Sequence, residues 1–351
     1  MAKASNGLAP WEMAKEDEMR ALCCGEKLVL HAAVRSCDVK QVQSALRDGA
    51  DVSRADRDGF TALHLAIAAA DSEEDALEML HALLQAKAGR SAPSLAIAFG
   101  TINREGYMPL HLAALKGSAA LAAALLEAGA PIDAKSRLRG AGYDGNWGKR
   151  ETKSAQLEEI DSRHRTALQL ALERLEKSEE GDDSDDDDGG GGGDAADDDS
   201  GVDLVRVLLR HKADVNTRDI NERTPLEQAV DAGRHGVVKL LLEADAEPTA
   251  VGKRHGVLHQ AVIKSDACMV ELLLKHNAEA SSCKPAARLD VNGCGRDGWT
   301  PLALAARAGH TAAAELLLEY GAAPTVVMAN GKTALDIARV NKKDSIVALL
   351  G

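Results

Sequence analysis

Along this chain the apolar residues fall into a short pattern that returns again and again. A Thr or its equivalent, often followed by Pro, opens a Leu-x-x-Ala run; a Gly or small polar turn interrupts it; a second, Leu-rich run follows and closes on Gly-Ala. The clearest copy is DGWTPLALAARAGHTAAAELLLEYGA from Asp297 to Ala322, and others begin at Asp58, Glu105, Asn221 and Asn330. Weaker copies begin at Leu28, Thr166 and Gly256. Thr is a good helix N-cap, and Pro109, Pro225 and Pro301 stand where a first helical residue needs no N–H; the apolar spacing is that of one helix face. Gly117, Gly233 and Gly309 break the first helix of a copy, and Gly321 ends a second one, where a left-handed backbone is easily adopted. The pattern therefore predicts pairs of short antiparallel helices. Such a pair cannot bury its own apolar face, so neighbouring pairs must stack.

Spacing locates the irregularities. The opening positions Leu28, Thr61, Met108, Thr166, Thr224, Gly256, Thr300 and Thr333 lie 33, 47, 58, 58, 32, 44 and 33 residues apart. Against a unit of ~33 residues, four intervals carry insertions. In the second copy ADSEED lengthens the turn between helices. The other insertions are expected at 90–101, 136–160, 178–203 and 281–291, the third falling inside a pair, between its first helix and its second at Asp203 to Arg210. Residues Trp11 to Cys24 read as a short amphipathic helix, so 1–27 is expected to be a capping helix and tail, and the polar surface of IARVNKKDS suits a terminal cap. The chain stops at Gly351 within a second helix, which leaves open that it is a piece of a longer protein.

The repeated motif resembles the ankyrin-repeat family, over roughly residue 28 to the end and in about eight copies. The resemblance implies an all-α solenoid of stacked helix-turn-helix units, with β-hairpin-like fingers between repeats and a concave groove lined by fingers and first helices. It also implies a non-enzymatic scaffold or adaptor that binds another protein through that groove. The alternative is the recognition domain of a larger enzyme, channel or ubiquitin-ligase substrate receptor.

Composition sharpens this reading. Aromatics make up 2% of the chain, so a core must be built from Leu, Ala, Val and Ile. The net charge is −13, and the stretch from Ser178 to Asp203 holds 13 acids and no Lys or Arg, so the remainder is formally neutral. That stretch is too polar to fold and is expected to be a solvated acidic Gly/Asp loop. Within it Ser184 and Ser200, each with an acid three residues later, are candidate phosphorylation sites. No basic excess marks a nucleic-acid reader. No apolar run reaches the ~20 residues of a membrane span. With six scattered Cys and a charged N-terminal stretch lacking an apolar core, the chain reads as a cytoplasmic or nuclear monomer.

Candidate chemistry dissolves on inspection. His31, His64, His111 and His259 each occupy the fourth position of a TPLH-like motif, and the resemblance makes them structural; one per repeat, ~10 Å apart, they do not share an ion. Gly331-Lys332-Thr333 lacks the earlier Gly of a phosphate loop, since position 326 is Val. The Gly/Asp tract matches no EF-hand order. No catalytic, metal or cofactor site is therefore expected.

Recognition residues are the better prospect. The position between the motif Gly and Thr, which the resemblance places where finger meets helix, holds Phe60, Tyr107, Arg165, Arg223, His255, Trp299 and Lys332. Of the chain's eight aromatics, three stand here, and aromatics and Arg dominate interface energetics. The insertion from Ser136 to Ile160 adds Arg139, Tyr143, Trp147, Lys149 and Arg150 among glycines, which suits a protein partner with an acidic or phosphorylated surface.

Overall fold

The computed structural model describes residues 28–70, 72–85, 92–136, 164–177, 199–219, 221–248, 256–279, 289–295, 298–329 and 331–351. Among them are seventeen helices and no strand. In order they are α1 Val29–Arg35, α2 Val39–Arg47, α3 Ala62–Ala68, α4 Glu73–Gln85, α5 Ala92–Gly100, α6 Pro109–Lys116, α7 Ala119–Glu127, α8 Ala167–Lys177 and α9 Asp199–Arg210. Then come α10 Pro225–Asp231, α11 His235–Glu243, α12 Val257–Ile263, α13 Ala267–Glu279, α14 Pro301–Ala308, α15 Thr311–Glu319, α16 Ala334–Val340 and α17 Asp344–Leu350. The capping helix expected within 1–27 lies outside the described residues.

The first helices start where the motif Thr stands, for the reason the motif implies. Thr224 Oγ1 accepts from Glu227 N–H at 3.2 Å while the Glu227 carboxylate accepts from Thr224 N–H at 3.0 Å, a reciprocal cap. Thr333 and Asp336 repeat it, and Thr61 and His64 make the same box with an imidazole as the returning acceptor. Thr300 caps Ala303 N–H, with Pro301 in the first helical position.

The chain forms two compact units, residues 1–112 with 124–131 and residues 113–123 with 132–351. In the first, α1 packs on α2 and α3 on α4, with α1 beside α3 and α2 beside α4. In the second, an inner row α8, α10, α12, α14, α16 packs against an outer row α9, α11, α13, α15, α17. The core is aliphatic, as the composition demands: Leu63, Ile67, Leu80, Leu83, Leu168, Leu204 and their equivalents are fully enclosed, and Phe99 is the one buried aromatic among the described residues. Each enclosed Leu or Ile contributes about 2 kcal/mol of burial. The first-helix alanines Ala113, Ala229, Ala261 and Ala305 are at most 1% exposed, which lets helix backbones approach. Two inner helices of the second unit, α8 and α10, also receive a cation from the following pair near their C-termini: Arg234 donates to the Leu175 carbonyl at 2.9 Å and Lys264 Nζ to that of Asp231.

Two insertions depart from expectation. Residues 90–101, read as an enlarged connection, contain α5, which buries Leu95, Ala98 and Phe99. The second helix of the fourth pair starts at Asp199 rather than Asp203, so the acidic tract contributes its last residues to α9. Residues 137–163, 178–198 and 280–288, the bulk of the other three insertions, lie outside the described residues.

Candidate protein-recognition surface

Among the described residues, fingers close on the residue that precedes the motif Thr. In the first unit Asp56 N–H donates to the Phe60 carbonyl at 2.9 Å, and the Asp56 carboxylate accepts from the N–H groups of Asp58 and Phe60. Asn103 does the same for Glu105 and Tyr107. In the second unit the Asp219 carboxylate takes Arg223 N–H at 2.8 Å. Gly295 N–H and Met328 N–H reach the Trp299 and Lys332 carbonyls at 2.9 and 3.0 Å, without a side-chain acceptor at that position.

The motif His residues complete the closure across repeats. His31 Nε2 lies 3.0 Å from the Phe60 carbonyl, His64 Nε2 3.0 Å from that of Tyr107, and His259 Nε2 3.0 Å from that of Trp299. Carbonyls only accept, so each Nε2 carries the proton. His64 Nδ1 accepts in turn from Thr61 N–H at 3.1 Å, and His111 Nδ1 from Met108 N–H at 3.1 Å. The His64 ring is therefore a neutral tether with both nitrogens used. Burial holds the His64 imidazole down at about 4, outweighing the Tyr107 carbonyl and Asp56, which favour the proton; His111 opposes it. Burial lowers His31 as well, against the Phe60 carbonyl and Asp56. Among the described residues no group of three or more His, Cys, Asp or Glu is placed to hold a metal ion.

This backbone frame presents the finger-base side chains. Phe60, Tyr107 and Trp299 are all half-buried. Phe60 meets His64 edge-on at 5.9 Å and Tyr107 meets His111 edge-on at 6.3 Å. Trp299 carries the Arg307 guanidinium over its ring at 5.3 Å. The motif alone does not single out Arg307, but its signal is in the spacing: it stands eight positions after the finger-base residue, as Glu173 does after Arg165. Those two also meet, as a buried ion pair. Arg165 is 3% exposed, so its charge is spent inside the stack and the surface does not include it. Arg223 is half-buried with its Nε 3.2 Å from the Asp219 carboxylate, and Lys332 is exposed. Arg139, Tyr143, Trp147, Lys149, Arg150, His255 and Ser184 lie outside the described residues; Ser200 falls in the first turn of α9.

Comparison with known proteins agrees with this architecture. The family profile "Ankyrin repeats" matches three times, over residues 30–136, 195–251 and 257–351. The chain belongs to the ankyrin-repeat family, with the all-α repeat fold and the protein-interaction role of that domain. It is 32% identical over 152 residues to human SH3 and multiple ankyrin repeat domains protein 2, a match covering 42% of this chain and 8% of that one. It is 37% identical over 114 residues to Caenorhabditis elegans protein lin-12, covering 31% of this chain and 7% of the relative. Against protein glp-1 of the same organism it is 33% identical over 154 residues, covering 40% and 11%. The chain thus spans only a small part of the length of these relatives. Among the described residues no helix is long and apolar enough to cross a membrane.

Proposed function

We propose that this chain is a non-enzymatic adaptor of eight ankyrin repeats that holds a partner protein against its finger bases and first helices. The observation that carries this reading is the recurrence of Phe60, Tyr107 and Trp299 at one repeat position, each half-buried and each with its carbonyl tied to the preceding repeat's His. Rings held on a fixed backbone lose little entropy on binding, and aromatics at such positions form the energetic centre of an interface. The insertion bearing Arg139, Tyr143, Trp147, Lys149 and Arg150 extends this surface toward an acidic or phosphorylated partner, with Arg223 contributing at the finger base. Phosphorylation at Ser184 and Ser200 would deepen the negative field of the acidic tract. The adaptor acts as a monomer in the cytoplasm or nucleus.

The small share of each relative that the chain matches favours a second reading, in which this is the recognition arm of a larger protein. Replacing Trp147 and Trp299 together by Ala tests the common core of both readings. Binding of a partner captured from the source cell is expected to weaken more than tenfold, about 1.4 kcal/mol, with unchanged helical circular dichroism. Unchanged affinity would place recognition on another face.

A further inference from the structure

The last three helix pairs divide their charge between the two rows. The finger bases, inner helices and following turns, residues 256–266, 298–310 and 331–343, carry Lys264, Arg307, Lys332, Arg339, Lys342 and Lys343 against two acids, Asp266 and Asp336. Asp336 is itself engaged in capping Thr333. The outer helices α13, α15 and α17 carry Glu271, Glu279, Glu315, Glu319 and Asp344 against Lys275. In a chain whose net charge is −13, this places a basic strip on one side of one unit and an acidic one on the other. The same strip is also apolar. Ile263 and Val340, at the repeat position that Arg307 occupies in α14, are 44% and 64% exposed. Helices α12, α14 and α16 are consecutive in the inner row, so Ile263, Arg307 and Val340 follow one another across it, with Trp299 beneath Arg307. Further back in that row the equivalent positions are Glu173 and Asp231, so from α8 to α16 the basic and apolar character belongs to the last three helices; earlier in the sequence the position holds Arg35, Ala68 and Leu115, the last 37% exposed.

Resting on the interaction reading above, we propose that this strip is the docking site for an acidic peptide segment whose carboxylates alternate with apolar side chains. Charge complementarity selects the acids, and the spaced apolar positions select against a plain polyanion. Ile263 and Val340 contribute buried area, Trp299 an aromatic floor, and Arg307 a guanidinium already oriented by the ring to donate to a carboxylate in bidentate fashion. Nucleic acid fits less well, because Ile263 and Val340 offer a phosphate backbone nothing.

The test uses fluorescence anisotropy on the full chain with a short dye-labelled peptide of repeating Asp-Glu-Leu. The controls are the same peptide with Lys for the acids, the same with Ser for Leu, residues 178–198 of this chain as a free peptide, and an oligouridine. The Asp-Glu-Leu peptide is expected to bind at least tenfold more tightly than any control, and to weaken as salt is raised. Arg307→Glu, and separately the paired Ile263→Ser and Val340→Ser, each weaken it about tenfold. Glu315→Lys with Glu319→Lys, on the outer row, leaves it unchanged. Circular dichroism verifies the fold of each variant, and Arg307→Gln replaces Arg307→Glu if the reversal unfolds the chain. The proposal is overturned by no binding, by equal binding of any control, or by indifference of the folded Arg307 variants. A cellular partner whose affinity depends on Phe60 and Tyr107 but not on Arg307, Ile263 or Val340 would overturn it too, while leaving the general interaction reading intact.

Discussion

His64 Nε2 donates to the backbone carbonyl of Tyr107 at 3.0 Å, across 43 residues of sequence, while Nδ1 of the same ring accepts from Thr61 N–H. One buried side chain thus starts a helix in its own repeat and closes the finger of the next. Replacing it with Ala removes both bonds, leaves the Thr61 N–H unpaired while the Tyr107 carbonyl keeps its bond from Asn103 N–H, and opens a cavity. The expected loss is about 3 kcal/mol, read from the urea midpoint. Gln is the informative replacement, because Gln169 already serves both ends elsewhere: its Oε1 takes Thr166 N–H at 3.0 Å and its Nε2 donates to the Thr217 carbonyl at 3.2 Å. His64→Gln is expected to lose no more than about half as much. Equal losses for Ala and Gln would show that the tether contributes nothing beyond packing.

The same ring sets a pH dependence. In the unfolded chain His64 takes up a proton near 6.5, whereas in the folded chain it resists until about 4. Between those values the unfolded state binds more protons, so stability falls as pH drops through this window and levels off below it. At full development the loss is about 3 kcal/mol. His31, also lowered by burial, adds in the same direction. Asp336 has its carboxyl lowered by the Thr333 N–H and hydroxyl, so its contribution is present above the ordinary carboxylate range and disappears only on further acidification. Urea titrations at several pH values between neutrality and 4, on wild type and His64→Gln, separate the two. The variant should show the shallower slope.

Two glycines with similar dihedrals should respond differently to substitution. Gly59 has φ +80° and a Cβ there would stand 3.0 Å from the Ile102 carbonyl oxygen and 3.1 Å from Asn103 Cα, while Gly129 has φ +99° with nothing within 4 Å. Gly129→Ala is expected to cost the left-handed backbone strain, about 1 kcal/mol. Gly59→Ala must also push backbone against backbone, and a loss of about 2 to 3 kcal/mol is expected in thermal melts. Equal melting shifts would mean that the fingers yield freely.

Arg165 and Glu173 form an enclosed pair, with side chains 4% and 14% exposed. Removing either alone should cost about 3 kcal/mol, because the other charge remains buried, whereas Arg165→Met with Glu173→Leu should recover most of that. A double-mutant cycle on denaturation free energies gives the coupling directly. Additive losses would show that the two charges act independently.

Much of this architecture was legible in the chain. Thr-Pro-Leu-His predicts a capped, amphipathic first helix, and Thr61, Thr224, Thr300 and Thr333 all cap as their residue type requires. The unequal intervals mark where the chain departs from a regular repeat spacing. What the pattern does not encode is the local outcome within them. APSLAIAFG reads as a connection because it lacks a motif Thr, yet it has enough apolar surface to form α5 against the core. Arg165 shares the position of Phe60 and Trp299, but it is drawn into the stack by its pairing with Glu173. The charge division between rows was hidden for a similar reason: inner and outer helices alternate along the sequence, so their opposite charges average to neutrality until the rows are separated.

Ser136 and Arg165, 29 positions apart, grip one another twice: Ser136 N–H donates to the Arg165 carbonyl at 2.8 Å and Arg165 N–H donates to Ser136 Oγ at 3.0 Å. Asn277 clips Leu289 in the same manner, through both its amide groups at 2.9 and 3.1 Å. Because the two ends of each insertion are fastened before the intervening residues matter, doubling what lies between them adds only about 0.6 kcal/mol of closure entropy. These clasps make the repeat stack a socket board: foreign sequence, from an epitope to a folded reporter, can be spliced in at either clasp while the helices on both sides keep their register.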